Sequence, residues 1–376
     1  MRNLLIFIFI SLLINSFNCS FQSKIFNRMN KEKSGENLII SPLSIFQALS
    51  LATNGAKGET QLEMLELLES DNIDELNKIN FQIISLIKEF STIDIANAVM
   101  TKFTPLESFS SLAEKYLAPF EPLESAEQVN NWCKNKTHGK ISKIIEELDP
   151  EVLMIILNAV YFKGEWAEKF KNTTTTKLPF YNLGKNEVNI DTMQKIAHFR
   201  YYEDKKVQAI ELRFVYDFMS AIIILPAEGN DINKYINSLS ISNDEYQKII
   251  DGLSRVKVNL QLPKFELEFD EKLNKILVDL GMYNAFDPLN ADLSGIEEKI
   301  KLYIDSVIHK SYIKVFEDGC EAAAVTAIIL PPGSSMPVEE EIYDMKVNRP
   351  FLFLLKNTRL PAGYELIFMS KIEKLE

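Results

Sequence analysis

Histidine and cysteine, the side chains best suited to nucleophilic, acid–base or metal chemistry near neutral pH, are scarce in this sequence. The three histidines, His138, His198 and His309, are scattered, and the cysteines are Cys19, Cys133 and Cys320. The sequence has no Gly-x-Ser-x-Gly elbow, no His-Glu-x-x-His pair, no phosphate-cradling loop and no paired-cysteine zinc spacing. Triads are defined by geometry rather than by motif, so a hydrolase is disfavoured rather than excluded. The expectation is a protein that is not an enzyme and that carries no metal and no cofactor. A run of small side chains stands out instead. Residues 317–326 read Glu-Asp-Gly-Cys-Glu-Ala-Ala-Ala-Val-Thr, followed by Ala-Ile-Ile-Leu and then Pro331-Pro332-Gly333-Ser334-Ser335. With the strand period of two, Cys320, Ala322, Ala324, Thr326, Ile328 and Leu330 share one small or apolar face. Glu321, Ala323 and Val325 fall on the other, which begins with a charge that must stay wet. That is a strand able to join a half-buried sheet. Entry would stop near Leu330, because Pro331 and Pro332 have no N–H for a ladder.

The elements that must position this strand alternate irregularly along the chain. Ser41 is a helix cap before an apolar helix to Ala52, with Pro42 at a tolerated first-turn position. Residues 57–68 and 73–90 have helical spacing, and 93–100 reads as a strand. A helix within 126–147 breaks near His138-Gly139. Residues 153–162 are almost continuously apolar, as in a strand buried on both faces. Strands dominate 188–225, helices 231–251, and 256–267 alternates as a strand. A helix over 270–280 ends at Gly281, a long strand spans 300–316, and short strands fill the last forty residues. Without a regular β–α rhythm the class is α+β.

Composition narrows the function. The net charge of −12 and the lack of a basic stripe argue against nucleic acid. Arg2, the apolar run from Leu4 to Ile14 and the small residues after it read as a signal peptide over 1–20, too short to span a bilayer. The expectation is a secreted, extracellular, monomeric protein with no membrane partner and one domain over 21–376. No linker or repeat divides it. Cys133 and Cys320 do not make a disulfide framework. They read as free thiols, with a redox-sensitive hinge or a covalent dimer through Cys320 as the alternatives. Asn135-Lys-Thr and Asn172-Thr-Thr are glycosylation sequons. Glu339-Glu340-Glu341 reads as a solvated acidic loop, or as an exosite that steers a basic partner.

Several motifs together resemble the serpins, inhibitors of serine proteases. Residues 317–326 resemble the serpin hinge. Asn37-Leu-Ile-Ile-Ser41-Pro-Leu-Ser44 resembles the shutter, and Asn158-Ala-Val-Tyr-Phe-Lys-Gly-Glu-Trp166 the third strand of the central sheet and the breach. Leu262-Pro-Lys264-Phe, His309-Lys310, Asn348-Arg-Pro-Phe-Leu-Phe and Phe368-Met369 follow in family order. The resemblance covers 21–376. It implies about nine helices around three β-sheets, with a mobile reactive loop over about 317–345. It also implies a suicide substrate: a protease attacks the loop, forms an acyl-enzyme, and is trapped when the cut loop inserts into the central sheet. Carried over by motif, Glu317, Gly319, Cys320, Glu321, Ala322, Ala323, Ala324, Val325 and Thr326 form the hinge. Trp166, Lys264 and Glu317 form the breach, with Lys264 and Glu317 as an ion pair. Ser41, Ser44, Asn158 and His309 form the shutter. The spacing from the hinge glycine puts the reactive bond between Gly333 and Ser334, implying elastase-like or chymotrypsin-like targets bound covalently. Two residues depart from the family: Cys320 stands where threonine or serine is usual, and Val325 where alanine or glycine is. Heparin binding is not expected, since 71–90 holds only Lys78 and Lys88. A non-inhibitory carrier is the alternative.

Overall fold

The computed structural model describes residues 21–88, 93–241, 243–320 and 340–376. The first half carries α1 (Phe21–Glu32), β1 (Leu38–Ile40), α2 (Pro42–Gly55), α3 (Gly58–Leu67), α4 (Ile73–Lys88), β2 (Ile93–Thr101), α5 (Glu107–Lys115), β3 (Glu121–Pro122), α6 (Ala126–Lys136), β4 (Met154–Phe162) and β5 (Gly164–Glu165). Then come β6 (Thr176–Asn182), β7 (Asn186–Glu203), β8 (Val207–Arg213), β9 (Met219–Pro226), α7 (Ile232–Ile241), α8 (Asn243–Gly252), β10 (Ser254–Pro263), β11 (Phe265–Lys272), α9 (Asn274–Asp279) and β12 (Ser306–Val315). The chain ends in β13 (Gly319–Cys320), β14 (Ile342–Lys346), β15 (Phe351–Asn357) and β16 (Leu366–Ile372).

Among the described residues these make nine helices and three sheets, an α+β fold. The largest sheet runs β1-β16-β15-β9-β8-β7-β10-β14, with β6 on β7. The second runs β11-β12-β4-β2-β3, and β5 pairs with β13 alone.

The second sheet is covered on both faces, which explains why β4 is apolar at every position but Asn158. Met154, Ile156, Val160 and Phe162 enter the main core, which extends from Phe21 to Leu375. Ile155, Leu157, Ala159 and Tyr161 face the opposite way into a smaller core with Val129, Trp132 and Cys133 of α6. β4 pairs antiparallel with β2 but parallel with β12, over seven register pairs from Ser306↔Ile155 to Tyr312↔Tyr161. β12 continues to Val315 past the end of this ladder.

The cap at Ser41 forms as read, its Oγ accepting from Ser44 N–H, and α2 is buried along nearly its whole length. α6 ends where His138 and Gly139 take positive φ values of 52° and 80°. Two elements are shorter than expected. β11 runs on to Lys272, because it follows β12 to the pair Lys272↔Ile308, and this leaves α9 only Asn274–Asp279. Residues 300–305 are not strand, since Ile304 N–H bonds Ala285 O away from the sheet. The helices α1 and α5 were not among the elements read from the sequence.

Candidate functional site

At the end of β12 the chain reverses. Phe316 and Gly319 exchange backbone hydrogen bonds of 2.9 and 3.1 Å, and Gly319-Cys320 then runs back against Glu165-Gly164. Gly319 has φ +153°, and a Cβ there would lie 2.0 Å from Gly164 O, so this closely packed position requires glycine. The hinge residues Glu321–Thr326 and the bond Gly333–Ser334 lie outside the described residues. The reversal turns Gly319-Cys320 back antiparallel to β5. A strand leaving β12 this way runs antiparallel to β12, and therefore also to its parallel neighbour β4. Entry between the two would replace one parallel ladder by two antiparallel ones, the more stable pairing per residue.

Beside the reversal, Lys264 Nζ meets both Glu317 oxygens at 3.0 and 3.2 Å. Trp166 stacks on Phe214, with centroids 4.5 Å apart. Its indole N–H donates to Phe316 O at 3.0 Å, and its backbone N–H to Asp318 O at 2.9 Å. The sequence reading missed Thr175, whose hydroxyl donates to Glu317 Oε1 at 2.6 Å. Burial alone would raise the Glu317 pKa. The Thr175 hydroxyl, a backbone hydrogen bond and Lys264 outweigh it, and the carboxyl sits below its usual range.

Halfway along the sheet a row of polar side chains crosses three strands on the main-core face. Asn97 of β2, Asn158 of β4 and His309 of β12 are register partners. Asn158 Nδ2 donates to Asn97 Oδ1 at 2.5 Å, and Ser44 Oγ donates to Asn158 Oδ1 at 2.8 Å. His309 Nε2 accepts from Ser41 N–H at 3.3 Å. That contact requires a lone pair on Nε2, so the proton is on Nδ1, which donates to Asn158 Oδ1. His309 is fully buried, and desolvation pushes its pKa down to about 3, so the imidazole is neutral. The structure thus brings Ser41, Ser44, Asn158 and His309 together. Asn97 is a fifth member, and its only sequence signal is a polar residue in the apolar middle of β2. The Asn158–His309 bond spans the β4–β12 seam.

Cys320 is fully buried and free, and burial pushes its thiol well above the ordinary range. In this closed state it is shut off from oxidants and from a second chain, which removes the basis for a redox-sensitive hinge or a covalent dimer here. Cys133, also buried and free, is pushed up to about 12 for the same reason. Asn135 and Asn172 are both exposed. Glu340 pairs with His198 at 2.8 Å, so part of the acidic run is engaged within the chain. Among the described residues no group of histidines, cysteines and carboxylates could hold a metal, and no helix is long and apolar enough to cross a membrane.

The model of one family, Serpin (serine protease inhibitor), matches residues 16–374, and the chain belongs to that family. Iripin-2 of Ixodes ricinus is 34% identical over 360 residues, covering 90% of this chain and 88% of its own length. The leukocyte elastase inhibitor of Xenopus laevis is 32% identical over 368 residues, covering 92% and 95%. The native-state crystal structure of the thermophilic serpin tengpin superposes with a TM-score of 0.84 at 30% identity, over 96% of this chain and 93% of that one.

Proposed function

We propose that this chain is a secreted suicide inhibitor of serine proteases, cut between Gly333 and Ser334, with elastase-like or chymotrypsin-like targets. The observation that supports the reading is the reversal at 316–319, which turns Gly319-Cys320 back beside the end of a parallel β4–β12 pair. In the mechanism, a protease serine attacks the Gly333 carbonyl and forms an acyl-enzyme, releasing the amine of Ser334. The freed strand, Gly319 to Leu330, is about 40 Å long at ~3.3 Å per residue. Its insertion carries the protease with it and distorts the site that would hydrolyse the ester. Burial of Ile328 and Leu330 adds about 1.5–3 kcal/mol each. Leu330-Pro331-Pro332 before a glycine favours enzymes that accept small residues. With no Lys or Arg between Lys314 and Lys346, a trypsin-like target is disfavoured. The family includes a leukocyte elastase inhibitor among the similar relatives, which supports this target class. The exposed Asn135 and Asn172 suit glycans on a secreted chain.

The test mixes the chain without residues 1–20 with elastase-like, chymotrypsin-like and trypsin-like proteases and runs denaturing gels, weighing the released fragment by mass spectrometry. A complex that survives denaturation, with a fragment of residues 334–376, is expected. Clean cleavage with no complex from any protease would favour the carrier reading.

A further inference from the structure

We propose that a cavity beside the breach is a binding site for an amphipathic organic anion, an aromatic ring system bearing a carboxylate, and that its occupancy holds the breach closed. The cavity encloses about 450 Å³ between the segment after β5 and strands β7, β8 and β10. This lies within the range of about 300–1,000 Å³ usual for small-molecule sites. Its inner wall is apolar: Trp166, Phe170, Phe199 and Leu212 line it and are all buried. Its rim is cationic. Arg200 pairs with Glu211 at 2.7 Å, and Arg213 and Arg255 stand exposed beside them. Glu168 at the rim is engaged by Lys195 at 3.1 Å, and Glu340 by the lining residue His198 at 2.8 Å. Guanidinium groups bind carboxylates bidentately and stack on ring faces. A flat ring with one acidic group therefore matches both the wall and the rim, whereas a cation would meet the arginines of the rim.

The same wall grips the segment that enters the hinge. Trp166 donates to Phe316 O and Asp318 O, and Phe170 N–H donates to Glu317 O at 2.9 Å. Ala167 N–H donates to Arg213 O at 2.9 Å, which ties that grip to the rim. A ligand bound in the cavity braces these donors in their closed positions. A ligand that favours the closed state raises its stability with the logarithm of ligand concentration. The proposal does not depend on the chain being an inhibitor, and its test uses no protease.

The probe is 2-naphthoate, titrated into the full chain carrying Trp132→Phe, which leaves Trp166 as its sole tryptophan. Saturable quenching of Trp166 fluorescence is expected, at least about tenfold weaker for the neutral isostere 2-naphthalenemethanol and for the exposed-rim double variant Arg213→Ala/Arg255→Ala. The thermal midpoint should rise with the logarithm of naphthoate concentration. Absence of saturable quenching, or equal affinity for naphthoate and its neutral isostere, would overturn the site. Binding with an unmoved midpoint would overturn its coupling to the breach.

Discussion

Acidifying the protein from about pH 7.5 to about pH 5 should destabilise the closed sheet by about 2 kcal/mol through His309 alone. In the closed state its pKa is pushed down to about 3, whereas an unfolded histidine titrates near ~6.5. The folded value is the lower of the two. The closed state therefore keeps its full stability above about pH 6.5, and loses about 1.4 kcal/mol per pH unit as the pH falls towards the folded value. The proton has no place in the closed geometry, because Nε2 accepts from Ser41 N–H. A chain of this size unfolds with an entropy of about 0.7 kcal/mol/K, so the expected fall in the first thermal midpoint is about 3 °C. The assay follows that midpoint against pH in a His138→Gln/His198→Gln background, where His309 is the only histidine left. Adding His309→Gln should lower the midpoint at every pH and remove this contribution to the slope. A midpoint that does not move between about pH 7.5 and about pH 5, or an equal slope after His309→Gln, would refute the reasoning.

Three further outcomes follow from the breach and hinge. Thr175→Val strips a hydrogen bond from the largely buried Glu317 carboxylate and should cost about 1–3 kcal/mol, read as a lower denaturant midpoint and faster aggregation on warming. Gly319→Ala forces a Cβ against Gly164 O and should open the reversal, so hydrogen exchange at Trp166 and Cys320 backbone amides should rise at least about tenfold, as for any lost ~1.4 kcal/mol. Cys320 and Cys133 should resist iodoacetamide in the closed protein and react once it is denatured, as mass spectrometry will read. Fast labelling of Cys320 in the native state would contradict its burial.

The readable parts of the fold were those set by local pattern. The almost continuously apolar run at 154–162 reports a strand with a core on each face, and Ser41 before an apolar run reports a cap. Lys264 and Glu317 were read as a pair only through family motifs, since 53 residues separate them. Thr175 and Asn97 escaped notice for a physical reason. Each is an ordinary polar residue whose partner is set by register and folding, 142 residues away for Thr175 and 61 for Asn97. The ends of α9 and β12 were misjudged because strand pairing to β11 and the Ile304–Ala285 bond override local periodicity there. The helix α1 carries a weaker pattern than the apolar run from Leu4 to Ile14 just before it, which dominates the N-terminal sequence.

The central claim is that a cut loop enters the seam between β4 and β12, and the thermal midpoint of the chain cleaved between Gly333 and Ser334 tests it most directly. About twelve inserted residues, each adding a net hydrogen bond of ~0.5–1.5 kcal/mol, contribute about 10 kcal/mol. With the unfolding entropy above, cleavage should raise the midpoint by about 14 °C. A cleaved chain that melts at or below the midpoint of the intact protein would contradict insertion, and with it the trapping mechanism.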